Sequence, residues 1–154
     1  MCSKVEVYAD GSCLKNGHSD ALGGWAYVIR DGEHEVIANG QAEGITTSNR
    51  MELIAVIKAL EALSKCSSQI TVFVDSQYVK EGCEQWLPNW KRNNWLTSTK
   101  KPVKNQDLWE QLDAQLEALD VSFEKVRAHS GHSMNELVDQ LARQAAHGQF
   151  LEAF

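Results

Sequence analysis

Apolar and polar residues alternate from Val5 to Asp10, with Val5, Val7 and Ala9 on one side and Glu6, Tyr8 and Asp10 on the other, the period of a β-strand. Gly11-Ser12 is expected to break that strand, and residues 14–24 read as a turn-rich loop. Two further strands are predicted at about 24–31 and 33–41, joined at Asp31-Gly32, a strong hairpin signal. The period then lengthens. Over 49–64, Leu53, Val56, Ile57, Leu60 and Leu63 fall on one helical stripe. Residues 70–74 read as a strand, and a helix is predicted over 76–86, with Pro88 stopping its continuation. Leu108, Leu112, Leu116 and Leu119 mark a helix at about 105–119, residues 121–126 a strand, and 134–147 a last helix. Hairpin strands followed by β-α-β-α units imply an α/β fold, a mixed sheet with helices packed on it. No repeat or linker interrupts the pattern, so one domain is expected over residues 1–154.

Composition narrows the class. A chain of 154 residues with 43% hydrophobic and 23% charged content has the make-up of a soluble globular protein with a real core. No apolar run approaches the roughly 18 residues that a membrane span needs. The N-terminal residues contain no apolar signal segment. The expectation is a cytoplasmic protein without a membrane partner. Cys2, Cys13, Cys66 and Cys83 are widely spaced, which fits free thiols in a reducing compartment better than a zinc site.

The formal charge of −6 argues at first against a nucleic-acid partner. The distribution reverses that. Between Gln85 and Gln106 stand Lys91, Arg92, Lys100, Lys101 and Lys104, without one acid. Trp86, Trp90 and Trp95 lie among them. Cations that neutralise phosphates beside indoles that stack on sugars or bases suit a nucleic acid. The bland alternative is a solvated helix whose tryptophans are its core stripe, a reading that the i, i+4 spacing of Trp86 and Trp90 also allows.

Four acids are candidates for chemistry. Asp10 and Asp75 each end a predicted strand, and sites in open α/β sheets form at the carboxyl ends of strands. Glu52 lies in the first turn of a predicted helix and Asp139 on the last one. Gathered, they would make an all-oxygen site for a hard divalent cation. Each also has an ordinary structural reading. Asp10 before Gly-Ser can form a turn, Glu52 can complete a capping box begun by Asn49, Asp75 can cap the following helix, and Asp139 can be a solvated helix residue. Glu136 fits best as the capping-box partner of Ser133. His129, in Arg127-Ala128-His129-Ser130-Gly131-His132, has the reference pKa of a neutral-pH proton shuttle.

The segments Asp10-Gly11-Ser12-Cys13-Leu14, Thr46-Thr47-Ser48-Asn49-Arg50-Met51-Glu52-Leu53, Asp75-Ser76-Gln77-Tyr78-Val79, Lys101-Pro102-Val103-Lys104-Asn105, His129-Ser130-Gly131-His132 and Asp139-Gln140-Leu141-Ala142-Arg143 together resemble the type 1 ribonuclease H family, close to its bacterial form. The resemblance spans about residues 4 to 146. It implies a five-stranded mixed sheet of order 3-2-1-4-5 and a monomeric endonuclease that hydrolyses the RNA strand of RNA–DNA hybrids, leaving 5′-phosphate and 3′-hydroxyl ends. It implies two Mg²⁺ ions, with Mn²⁺ as the alternative metal. Asp10 would be shared by both ions, Glu52 and Asp75 would hold one, and Asp139 the other, with His129 assisting proton transfer or product departure. By the same resemblance Cys13, Asn16, Ser48, Asn49 and Gln77 read the 2′-hydroxyls, and Thr47 and Asn105 form a pocket for a DNA phosphate. The basic stretch at about 86–104, with Lys91, Arg92, Trp95, Lys100, Lys101 and Lys104, would be a protrusion gripping the DNA strand beside Trp86. Two departures stand out. The loop after Leu14 lacks the family's compact Asn-Pro-Gly-Pro-Gly-Gly, and Ser48 stands where the bacterial members often carry Asn. The rival expectations are a hybrid-binding module without catalysis, and a nuclease of the same fold acting on DNA.

Overall fold

The computed structural model describes residues 4–16, 21–42, 46–126 and 133–148. In chain order the elements are β1 (Lys4–Leu14), β2 (Leu22–Asp31), β3 (His34–Ala42), α1 (Ser48–Ala62), β4 (Gln69–Val74), α2 (Gln77–Glu81), α3 (Leu87–Arg92), α4 (Gln106–Ala118), β5 (Val121–Lys125) and α5 (Ser133–Ala146). The strands form one sheet in the order β3-β2-β1-β4-β5. β1, β2 and β3 are antiparallel, whereas β4 runs parallel to both β1 and β5. This is the mixed sheet that the sequence pattern predicts.

The period-two pattern of β1 separates two cores. Val5, Val7 and Ala9 are buried with Leu53, Val56, Ile57 and Leu60 of α1 and with Leu108, Trp109 and Leu112 of α4. Tyr8 turns to the other face, where with Ala26 and Val28 it meets Val138, Leu141 and Ala142 of α5. α5 is held down on that face by side chains of the edge strand. Asn39 Nδ2 donates to the Leu141 carbonyl at 3.1 Å, and Gln41 Nε2 to that of Ala146 at 3.0 Å. Among the described residues no helix is long and apolar enough to cross a membrane, and Cys13, Cys66 and Cys83 are free thiols.

Three local expectations are corrected. β1 does not break at Gly11-Ser12; it continues to Leu14, with Gly11 paired to Trp25. The glycine serves a close approach instead. A Cβ at Gly11 would lie 2.3 Å from the Met51 carbonyl carbon and 2.5 Å from the Glu52 nitrogen, so α1 rests directly on the strand. β2 accordingly begins at Leu22, inside the span expected to be loop. Pro88 does not stop the second helical region. A π turn, Gly82–Trp86, precedes it, so the proline falls in the first turn of α3, where no N–H is needed.

Candidate active site

The parallel register of β1 and β4 brings the strand-end acids together. Tyr8 is opposite Phe73, and their rings stack with centroids 4.8 Å apart. Two residues further on stand Asp10, still within β1, and Asp75, the first residue past the end of β4. Glu52 comes from α1, in the turn that lies over Gly11. Carboxylate oxygens of Asp10, Glu52 and Asp75 all lie within 4.8 Å of one another. The Gly11 N–H donates to both Asp10 Oδ1, at 2.9 Å, and Glu52 Oε1, at 3.2 Å.

The ordinary structural roles are filled by other residues. Thr47, not Asn49, is the N-cap of α1, its hydroxyl accepting from the Arg50 N–H at 3.2 Å, so Glu52 closes no capping box with Asn49. Ser76 caps α2 by accepting from the Val79 N–H, so Asp75 is not the cap either. Asp10 sits within a paired strand rather than a turn. Glu136 lies exposed in the first turn of α5.

The cluster is electrostatically costly as it stands. Burial, then the nearby Asp75 and Asp139 charges, push Asp10 up to about 7, against the lowering effect of its bonds to Glu52 and Gly11. Burial and the neighbouring Asp10 carboxyl raise Glu52 well above the usual carboxylate range. Asp10 is 3% exposed. Glu52 Oε2 is buried without a hydrogen-bond partner among the described residues. An orphaned buried carboxylate oxygen costs about 1–3 kcal/mol. Packed carboxylates with an unused lone pair are the donor set that a hard divalent cation completes. Asp139 stands outside the 4.8 Å group but near enough to raise Asp10. Its Oδ2 is 2.8 Å from Nη2 of Arg143, one helical turn on. His129 lies outside the described residues.

The residues expected to bind substrate fall into three groups. Asn16 Oδ1 accepts from the Ser48 N–H at 3.1 Å, tying the end of β1 to the start of α1, with Asn49 exposed beside it. Cys13 lies close by, its thiol donating to the carbonyls of Leu14 and Thr46 at 3.7 and 3.8 Å and pushed up by burial. Gln77 opens α2, its amide nitrogen bonded to Glu81 and its oxygen 3.5 Å from Lys125 Nζ. The second group is Thr47 and Asn105, linked through Arg50: Thr47 caps its N–H, and Arg50 Nη1 donates to Asn105 Oδ1 at 3.2 Å.

The third group is the basic stretch. Trp90 packs edge-on to the core indole of Trp109 at 5.3 Å, and Trp86 and Trp95 flank Trp90 at 5.8 and 6.4 Å. Trp90 and Trp95 pack against the main core, so for these two the core-stripe alternative describes the packing. Trp86 is half-buried and also packs on Tyr78, ring centroids 5.7 Å apart. The cations differ among themselves. Lys91 Nζ is 3.2 Å from Asp113 Oδ1 and 2.8 Å from Glu117 Oε1, both on α4. Arg92 bonds the side chain of Asn89. Lys100, Lys101 and Lys104 are exposed, and no ion pair joins them to a carboxylate among the described residues. Sequence reading missed Arg50, Tyr78 and Arg143 as neighbours of these groups. Of the three, only Arg143 carried a signal, its i, i+4 spacing from Asp139.

A sheet of this order with acids converging at its strand ends defines a class, the metal-dependent nucleases and related phosphodiester enzymes. The family model RNase H matches residues 2–147. A ribonuclease H of Hydrogenovibrio crunogenus is 50% identical over 142 residues, covering 92% of this chain and 94% of the relative. One from Erwinia tasmaniensis is 46% identical over 146 residues, covering 95% of this chain and 91% of the relative. Among solved structures, LC9-RNase H1, described as a type 1 RNase H with the type 2 active-site motif, superposes with a TM-score of 0.85 at 26% identity. It covers 99% of this chain and 79% of its own. The chain belongs to the RNase H family, and with that family it is a divalent-metal-dependent nuclease.

Proposed function

We propose that this protein is an endonuclease that hydrolyses the RNA strand of RNA–DNA hybrids, leaving 5′-phosphate and 3′-hydroxyl ends. The observation that carries the reading is the convergence of Asp10, Glu52 and Asp75 within 4.8 Å, with one buried oxygen unsatisfied. These three and Asp139 are the residues that would hold the metal, taken as two Mg²⁺ ions with Asp10 shared. When bound, divalent cations lower the pKa of an attacking water and stabilise charge at the leaving oxygen. The chain's own part is to place the acids and the substrate. The β1–β4 register fixes Asp10 beside Asp75, Gly11 lets Glu52 reach over the strand, and Arg143 restrains Asp139. His129 moves a proton or helps product leave.

Cys13, Asn16, Ser48, Asn49 and Gln77 read the RNA strand through its 2′-hydroxyls, the chemical difference between the two strands. Thr47 and Asn105 take a DNA phosphate. Trp86, Trp95, Arg92, Lys100, Lys101 and Lys104 form a protrusion along the DNA strand. Lys91, already engaged by two carboxylates, anchors that protrusion to α4. The test is cleavage of a hybrid labelled on each strand, with Mg²⁺ and with duplex DNA as control. Cutting confined to the RNA strand and abolished in Asp10→Asn is expected; cutting of the DNA duplex, or full activity in Asp10→Asn, overturns the reading.

A further inference from the structure

Tyr78 lies on α2, three residues beyond Asp75, yet its hydroxyl faces a different group. It accepts from Asn105 Nδ2 at 3.1 Å and from Trp109 Nε1 at 3.0 Å. Trp109 is fully buried, and its ring is 5.4 Å from that of Tyr78, so the phenol is fixed from two directions. Asn105 needs such fixing. It precedes α4 in the left-handed region, with φ 60 and ψ 29. Its oxygen is taken by Nη1 of Arg50, a guanidinium whose Nη1 and Nη2 also donate to Asp107 Oδ1 and Oδ2 at 3.0 and 2.9 Å. A guanidinium can only donate, so the orientation of the amide is determined: oxygen to Arg50, nitrogen to Tyr78. An amide nitrogen has two hydrogens. With one on Tyr78, the other is left for an outside acceptor. The Thr47 hydroxyl, accepting from the Arg50 N–H, likewise keeps its own hydrogen to give.

We infer that Tyr78 is a positioning residue of the hybrid-binding surface: its hydroxyl holds the Asn105 amide so that the remaining N–H, with the Thr47 hydroxyl, is presented to a phosphate of the DNA strand. This rests on Thr47 and Asn105 being the DNA-phosphate pocket proposed above. The bonds also join three elements, α1 through Arg50, α2 through Tyr78 and α4 through Asn105 and Trp109. α1 carries Glu52, and α2 follows directly on Asp75. The pocket is therefore held at a set distance from the acids, and a hybrid seated in it has its RNA strand in register with them.

The test compares Tyr78→Phe, Asn105→Gly and the double variant. Phenylalanine keeps the ring packing, and glycine accepts the left-handed backbone without a side chain. Each single change is expected to raise KM for the hybrid about fivefold, the value of one hydrogen bond, with kcat unchanged. The double variant should match Asn105→Gly alone in KM, because Tyr78 reaches the pocket only through Asn105; its bond to Trp109 bears on stability and not on hybrid binding. Effects that multiply, a lowered kcat at constant KM, or no effect in either single variant each overturn the inference. The same cycle is measured as hybrid affinity in an Asp10→Asn background. There it reads the role of Tyr78 even if wild-type protein fails to cut the RNA strand, which would count against the proposed function alone.

Discussion

The acidic cluster and the basic stretch carry charge in opposite ways. Asp10, Glu52 and Asp75 are drawn together at the end of the sheet, where burial and mutual repulsion hold a proton on the pair Asp10 and Glu52. Lys100, Lys101 and Lys104 stand in water on a segment whose tryptophans supply the packing. The first arrangement opposes folding and is relieved by a cation; the second costs the fold little. Chemistry at a phosphodiester needs charge concentrated out of water, whereas holding a phosphate backbone needs charge spread along it.

The largest expected effect breaks the acidic side alone. Asp10→Asn should lower hybrid cleavage by more than about a hundredfold. Loss of a group that merely supports a metal ligand costs about 10- to 100-fold, and a ligand itself counts for more. Hybrid binding should stay within a few-fold of wild type in a filter or fluorescence assay. In metal-free buffer at neutral pH the same variant should melt several degrees higher than wild type, because the repulsion is gone.

The second effect concerns pH. The folded state holds the Asp10 proton up to about 7, while the unfolded chain releases it near the ordinary 3.8. Between those values the folded state binds more protons at Asp10, so the Asp10 contribution to metal-free stability is full below about 4 and is lost as pH rises through 7. Thermal melts in EDTA across that range should show the decline, and millimolar Mg²⁺ at pH 8 should restore several degrees. An Asp10→Asn protein should show less of both. Activity should fall as pH drops below about 7, since protons and metal compete for the same oxygens.

The basic side should break differently. Neutralising a lysine that touches a phosphate reduces the slope of log affinity against log salt by about 0.9. Lys100→Gln and Lys101→Gln are expected to show that reduction, with cleavage at saturating hybrid unchanged. Lys91→Gln should leave the slope as it is. Its ion pairs with half-buried Asp113 and exposed Glu117 lie at the solvent boundary, so only a small loss is expected in a denaturant titration. A slope change in Lys91→Gln equal to that in Lys100→Gln would return Lys91 to the interface.

Much of the fold was legible because two periods, 2 and 3.6, label the strands and helices, and a hairpin signal at Asp31-Gly32 sets the turn between β2 and β3. The misreadings share a cause. Gly11 looked like a breaker, but its role is set by Met51 and Glu52, forty residues away. Pro88 looked like a stop, but a π turn runs ahead of it, and the first residue of that turn, Gly82, lies against Trp109 of α4. The pairing of Lys91 with Asp113 and Glu117 of α4 also left no mark in the spacing of its own segment. At the site, strand ends pointed to Asp10 and Asp75, while Glu52 and Asp139 needed the family pattern. The Tyr78–Asn105–Arg50 network left no trace in spacing, because its members lie on α2, just before α4 and on α1.

The Tyr8–Phe73 stack has a consequence for how this chain can change. Strand positions alternate sides, so inserting one residue within β4 would shift the strand end that delivers Asp75 by one step of the pleat with every side chain intact. The loops before Gln69 have no such parity to respect. Tolerance to length variation should therefore change abruptly at the start of β4, and a deletion scan through 64–75 would find the odd-numbered slips inside the strand inactive where substitutions at the same positions are not.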